Sequence, residues 1–216
     1  MTFQAIVFDN DGLLLDTEDA WTRAEEALFE RHGSSFTQDH KRELIGTSRT
    51  ESAVILERQL DLPGRGEALT EELHDLVRAE VSVGVPPRPG ALELLAAVRA
   101  AGLPVGLASN SVRAFVERAL EAGQLADGHF DVVVSADDVA SPKPAPDIYL
   151  AACAGLGVEP KRAAALEDSP PGVASARAAG MYVIGVPYFP DTILEGASLV
   201  APSLADPRVA AALGVG

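Results

Sequence analysis

The sequence predicts an α/β protein, a Rossmann-like doubly wound parallel sheet with a small helical cap domain inserted after its first strand. Three observations predict it. Short apolar runs recur at residues 3–8, 103–108, 130–134, 163–166 and 181–186, each of strand length and too apolar to leave one face in water. Helical patterns fill the intervals between the later runs, at 91–101, 112–122, 147–154 and 172–179, and Gly102, Gly123, Gly155 and Gly180 stand where each needs a C-cap. Between about residues 15 and 85 the pattern changes to charged, helix-forming stretches at 22–31, 39–45, 49–59 and 70–80, without a convincing strand.

The first run, broken only by Gln4, stops at the turn signal Asp11-Gly12. The chain then enters the insert and returns along Val85-Pro86-Pro87-Arg88-Pro89-Gly90, a stiff linker. This divides the chain into a core of residues 1–14 and 86–216 and a helical domain of 15–85. Alternation of apolar strands and helices gives a sheet covered on both faces, with ligands at the carboxyl ends of the strands. A length of 216 residues accommodates one core with a modest insert, and 47% hydrophobic with 23% charged residues is a globular composition.

A formal net charge of -15 argues against a nucleic-acid partner, since phosphate backbones are held by Lys and Arg. It does not exclude a small phosphate ester, because a metal ion and one or two cations can reverse the field inside a cleft. Cys153 lies in the apolar run Tyr149-Leu150-Ala151-Ala152-Cys153-Ala154 and reads as a core thiol. With no basic leader at its start and no long apolar span, the chain is expected off the membrane and in the cytoplasm, and no protein partner is predicted. His32, His40, His74 and His129 show no metal-ligand spacing and are expected at the surface.

Asp9 and Asp11 stand two apart at the end of the first strand, so the strand period turns both carboxylates to one side. Two such charges would repel by about 4 kcal/mol at about 4 Å in a partly shielded site, which calls for a cation or a shared proton. A turn-forming Asp-Gly explains the pair equally well when it is taken alone. Ser109-Asn110-Ser111 follows a strand and precedes a helix, where a hydroxyl and the first helical N–H groups bind an anion, or where a serine simply caps. In Ala140-Ser141-Pro142-Lys143-Pro144-Ala145-Pro146 prolines brace a lysine at the mouth of the next helix, against the alternative of an ordinary surface lysine. Leu166-Glu167-Asp168-Ser169 puts two carboxylates at the end of an apolar strand, as ligands for a hard cation or as helix caps.

The order Asp9-x-Asp11-Gly12, Ser109, Lys143 and Glu167-Asp168, each at a strand end, resembles the haloacid dehalogenase superfamily over the whole chain, and within it the phosphatase branch with a helical cap. The resemblance implies that Asp9 is the nucleophile and forms an aspartyl phosphate, while Asp11 protonates the leaving group and then activates water. It implies Mg2+ bound by Asp9, the Asp11 backbone carbonyl and Asp168, with Glu167 nearby, and phosphoryl oxygens held by Ser109, Asn110 and Lys143. Asp11 speaks against the family's metal-free dehalogenases, which lack a carboxylate there. Asn10 departs from the usual apolar residue and is expected to face the opposite side of the strand. The Lys143–Pro144 bond is expected cis from its tight turn.

Leu15-Asp16-Thr17-Glu18 and Gly46-Thr47-Ser48-Arg49-Thr50-Glu51-Ser52 are similar to segments of sugar-phosphate phosphatases and β-phosphoglucomutase. The mutases carry a histidine where Ala20 stands here, whereas an acidic residue and a tryptophan, Glu18 and Trp21, begin the cap of the sugar- and polyol-phosphate phosphatases. The implied activity is hydrolysis of a small phosphorylated sugar or polyol, with Arg49, Glu18 and Trp21 contacting the substrate. An exposed helical arginine, a cap-core tryptophan and a solvated helix face for Arg78 are the structural alternatives. A phosphomutase, or a non-catalytic binding relative, is the alternative function.

Overall fold

The structure, a computed structural model, describes residues 2–216 except Val83 and Asp127. Six strands form one sheet: β1 (Ala5–Phe8), β2 (Val105–Ala108), β3 (Val132–Val134), β4 (Ala163–Glu167), β5 (Tyr182–Gly185) and β6 (Leu199–Val200). Their order is β3-β2-β1-β4-β5-β6, and every pairing is parallel. Winding proceeds outward from β1 through β2 to β3, then restarts with β4 on its other side. The crevice at that reversal, outside the carboxyl ends of β1, β2 and β4, is where ligands bind in such sheets.

Both faces are covered, as the apolar runs require. Along β1, Ile6 and Phe8 enter one cluster with Leu94 and Val98 of α5 (Ala91–Ala100) and Phe115 and Val116 of α6 (Arg113–Ala122). Ala5 and Val7 enter the other, with Tyr149 and Cys153 of α7 (Asp147–Gly155) and Val173 and Ala176 of α8 (Pro170–Ala178). Each such large side chain contributes about 1.5–3 kcal/mol on burial. Cys153 is a buried free thiol. β6 and the closing helix α9 (Pro207–Leu213) lie beyond the elements read from sequence.

One of the four glycine caps was misplaced. Gly102 and Gly180 are left-handed at the ends of α5 and α8, and Gly123 caps α6 with the left-handed residue falling next at Gln124, but Gly155 lies inside α7 while Gly157 follows its end. α8 begins at Pro170 because the Ser169 hydroxyl accepts from Gly172 N at 3.2 Å and proline suits the first turn.

Between β1 and α5 the chain forms only helices among the described residues: α1 (Glu18–Arg31), α2 (Gln38–Leu44), α3 (Arg49–Leu60) and α4 (Gly66–Val81). α1 and α4 start earlier than the apolar pattern suggested, since neither has a side-chain N-cap hydrogen bond to mark it. Their apolar stripes, with Leu28, Phe29, Leu69 and Val77, join the same cluster as Phe8 and Phe115. The outgoing and returning crossings run side by side. Asp16 N donates to Pro86 O at 2.9 Å, Arg88 N donates to Leu14 O at 2.8 Å, and Leu15 bridges Pro87 antiparallel. No helix among the described residues is long and apolar enough to cross a membrane.

The return ends at Gly90, whose φ of 86° and close approach to the backbone before α9 both demand glycine: a Cβ there would lie 2.2 Å from Ala205 N. Gly90→Ala is therefore expected to lower stability by about 1–3 kcal/mol. Urea unfolding with an unchanged midpoint would contradict this packing.

Candidate active site

The strand ends converge on one buried ammonium. Asp9 continues β1 by donating its N–H to Leu166 O at 3.0 Å, and Glu167 closes β4. Lys143 arrives from the loop ahead of α7, with its peptide to Pro144 cis as expected. Its Nζ donates to Asp9 Oδ1 at 2.5 Å, Glu167 Oε1 at 2.6 Å and Ala108 O at 2.9 Å, which uses all three protons. Asn110 fixes the loop. Its Oδ1 accepts from Lys143 N at 2.8 Å, while its Nδ2 donates to Lys143 O at 3.1 Å and to Gly46 O of the insert at 3.3 Å.

Glu167 is fully engaged. Tyr149 OH donates to Oε1 at 2.6 Å, and Asp168 N and Ser169 Oγ donate to Oε2, each at 3.2 Å. Gly172 leaves it room, since a Cβ there would fall 1.9 Å from Oε2. By contrast, no hydrogen bond reaches the Asp168 carboxylate or Asp9 Oδ2 among the described residues. Asp9, Glu167 and Asp168 each offer an oxygen within 4.8 Å of the others.

Three buried carboxylates against one ammonium is a deficit of positive charge. Burial pushes Asp9 well above the usual carboxylate range, a push that Lys143 opposes without overcoming and that Glu167 and Asp11 reinforce. Asp168 is raised for the same first reason, with Asp9 and Glu167 adding to it. Burial works against the charge on Lys143 too, but Asp9 and Glu167 outweigh it and hold the lysine protonated. The two raised aspartates ionise readily only if further positive charge arrives, and an all-oxygen set suits a hard divalent cation.

Asp11 forms the facing wall. Its Oδ2 accepts from Ser109 Oγ and Ser111 Oγ, both at 2.9 Å, and its Oδ1 from Asn10 Nδ2 at 3.2 Å. Ser109 is wholly buried and its hydroxyl serves Asp11. Asn10 corrects an expectation: its side chain does not turn away but reaches the Asp11 carboxylate, and its carbonyl accepts from Leu14 and Leu15 N.

The insert supplies the remaining walls of the cleft above these strand ends. Glu18, Trp21 and Arg49 all line it. Arg49, partly exposed, pairs with exposed Glu71 at 2.6 Å, and Arg78 pairs with exposed Asp75. Trp21 bridges insert and core, edge-on to His74 with centroids 5.8 Å apart and 5.4 Å from Phe115. The surface expectation fails for His74, which lines the cleft: burial first, then Arg49 and Arg78, push it down to about 4, so it is neutral. The other histidines are half-buried, His32 against Glu72 at 3.1 Å, His40 against Phe29, and His129 with a buried Nδ1.

Sequence reasoning missed Lys41 and Glu25. Lys41 Nζ, buried in the cleft wall, lies 3.0 Å from Glu25 Oε2 and 2.7 Å from Glu18 Oε2. Glu18 and Glu25 are seven apart on α1, on the stripe that carries Leu28, and Lys41 precedes Leu44 by three on α2; charged residues on an apolar stripe were the available signal. Burial raises Glu25 to about 7 against the pull of Lys41, with Glu18 adding to the rise.

Comparison with known proteins places the chain in a family. The model of the haloacid dehalogenase-like hydrolase family matches residues 6–186. The chain belongs to that family. The matched span contains Asp9, Asp11, Ser109, Lys143, Glu167 and Asp168. Among haloacid dehalogenase-like relatives, the chain is 34% identical to protein CbbY of Rhodobacter capsulatus over 87% of its own length and 86% of the relative's. It is 32% identical to a phosphorylated carbohydrates phosphatase of Thermotoga maritima over 82% of each. The crystal structure of a CbbY variant from Rhodobacter sphaeroides in complex with xylulose-(1,5)bisphosphate superposes with a TM-score of 0.82 at 31% identity, covering 95% of this chain and 96% of that one.

Glu25 carries a pH signature. Its ordinary value is 4.5 and its folded value about 7, so the folded state retains a proton that the unfolded state releases. Its contribution to stability is therefore greatest at about pH 4.5 and below, and falls as pH rises through about 7. Between pH 5 and 8 the wild type should lose about 1–3 kcal/mol relative to Glu25→Gln. A difference in unfolding free energy that stays constant over that range contradicts the assignment.

Proposed function

We propose that this haloacid dehalogenase-like hydrolase is a Mg2+-dependent phosphatase of small phosphorylated metabolites, sugar or polyol monoesters, acting through an aspartyl phosphate on Asp9. The observation that carries the reading is the placement of Asp9 against Lys143. One carboxylate oxygen is pinned by the ammonium, and the other is left without a hydrogen bond beside the cleft. Asp11 stands alongside, oriented by three donors, as a proton shuttle needs to be.

The chemistry balances on these two side chains. The Asp9 oxygen bonds to phosphorus as the ester P–O bond breaks, and the departing alkoxide takes a proton from Asp11. Asp11 then accepts a proton from water, whose oxygen attacks phosphorus, frees inorganic phosphate and restores the Asp9 carboxylate. Lys143, beside Asp9, and the hydroxyls of Ser109 and Ser111, beside Asp11, would turn a donor from these carboxylates to the phosphoryl oxygens, and Asn110 acts by holding Lys143.

The residues fit the cation. Asp168, whose carboxylate receives no hydrogen bond among the described residues, and the free Oδ2 of Asp9, together with the Asp11 backbone carbonyl, would hold Mg2+, while Glu167, saturated by protein donors, fits an outer position. When bound, Mg2+ supplies the charge neutralisation that phosphoryl transfer requires. The cleft favours water as acceptor over a second sugar: Ala20, where the mutases carry a histidine, is buried and offers no proton. Relatedness to a carbohydrate-phosphate phosphatase supports the substrate class.

Phosphate release from a panel of metabolite monoesters tests the reading. Asp9→Asn should lower turnover by roughly 10³-fold or more, and EDTA should abolish it until Mg2+ is restored. Undiminished hydrolysis by purified Asp9→Asn protein would refute the nucleophile.

A further inference from the structure

The cleft holds a second buried ion cluster that the phosphoryl chemistry does not use. Glu18 and Glu25 of α1 flank Lys41 of α2, all three at least nine-tenths buried and all three lining the cleft that holds Asp9 and Asp11. We infer that this triad is a hydroxyl-reading subsite, with Lys41 as the specificity-determining residue, and that it selects polyhydroxylated monophosphates over bisphosphates. The inference rests on the phosphatase reading and names the leaving group.

The donor and acceptor inventory points to a hydroxyl. Lys41 Nζ gives one proton to Glu25 Oε2 at 3.0 Å. It lies 2.7 Å from Glu18 Oε2, yet that buried oxygen has no hydrogen bond of acceptable geometry, so proximity there is an ion contact that leaves a lone pair unfilled. An ammonium has three donors, and an unfilled carboxylate oxygen needs a donor from elsewhere. A substrate hydroxyl answers both, accepting from Lys41 while donating to Glu18. An ionised phosphate only accepts, so it cannot satisfy Glu18.

Charge points the same way. Two carboxylates about one ammonium leave the triad neutral or negative in either protonation state of Glu25, so it offers a second phosphate no net positive charge. The other cations lining the cleft among the described residues are also committed, Lys143 to Asp9 and Glu167 and Arg49 to Glu71, and His74 is neutral. An anion-binding subsite would carry a surplus of cations, as Arg clusters do for phosphate. Buried polar groups matched to a hydroxyl reject an analogue that lacks it, because they are then left unpaired in a dry wall.

The test is the wild-type specificity constant for sorbitol 6-phosphate, glucose 6-phosphate and glycerol 3-phosphate, set against hexyl phosphate, which has no hydroxyl, and fructose 1,6-bisphosphate. The best hydroxylated monophosphate should exceed both by at least about tenfold. In Lys41→Met the ratio to hexyl phosphate should collapse to within about threefold, chiefly through KM. Should that variant fail to fold, Glu18→Gln, which keeps the shape of the side chain, should lower the same ratio. Hexyl phosphate or the bisphosphate matching the best monophosphate overturns the inference, as does an unchanged ratio in the folded variant. Absence of phosphate release from every ester, hexyl phosphate included, instead overturns the phosphatase reading and takes the subsite with it.

Discussion

Lys143 has three protons, and the ends of three strands depend on where they go. One reaches the last carbonyl of β2, one the carboxylate that closes β4, and one the carboxylate that follows β1. Removing one partner of such a buried pair costs about 3–5 kcal/mol, because the other is left charged or is forced to neutralise. Much of the local sequence serves this contact. Asn110 clamps the backbone of the loop that carries Lys143, and Gly172 lets Glu167 lie under the first turn of α8. The small Ala163, Ala164 and Ala165 of β4 are wholly buried in the sheet that carries Glu167 to this point.

A single ammonium cannot balance Asp9, Glu167 and Asp168, and this imbalance links fold to chemistry. Glu167 is satisfied by Tyr149 and by the start of α8 and so behaves as structure. Asp9 and Asp168 keep oxygens in reserve, and burial pushes both well above the usual carboxylate range, so added positive charge favours their ionised forms. A second lysine, Lys41, repeats the arrangement in the insert with Glu18 and Glu25. The cleft is thus walled by two lysines, each outnumbered by carboxylates. The insert is joined to the core by paired crossings at Leu14–Arg88 and Leu15–Pro87, and Trp21 spans the two.

What was legible in the sequence follows from how far each signal travels along the chain. The central strands are buried on both faces, so their apolar runs stand out, and the acidic and basic residues at their ends mark the crevice because polar groups there have no other business. β6 is two residues long and half-exposed, with no periodicity to read. The assignment of Gly155 as a cap failed because any glycine near a helix end looks like a terminus, whereas the left-handed position after α7 went to Gly157. Lys41 and Glu25 escaped notice because each, taken alone, is an ordinary helical charge; only their contact in the folded chain, across sixteen residues of sequence, makes them one group. His74 was hidden for the same reason, brought to the cleft by α4 against Trp21.

The central claim is that the carboxylate surplus around Lys143 is a site for one divalent cation. Isothermal titration of Mg2+ into the whole protein tests it without reference to any substrate. One ion should bind per chain, and Asp168→Asn should weaken it by at least about tenfold, since a hard cation then loses an anionic oxygen ligand. Absence of binding by the wild type, or binding that Asp168→Asn leaves untouched, would contradict the account.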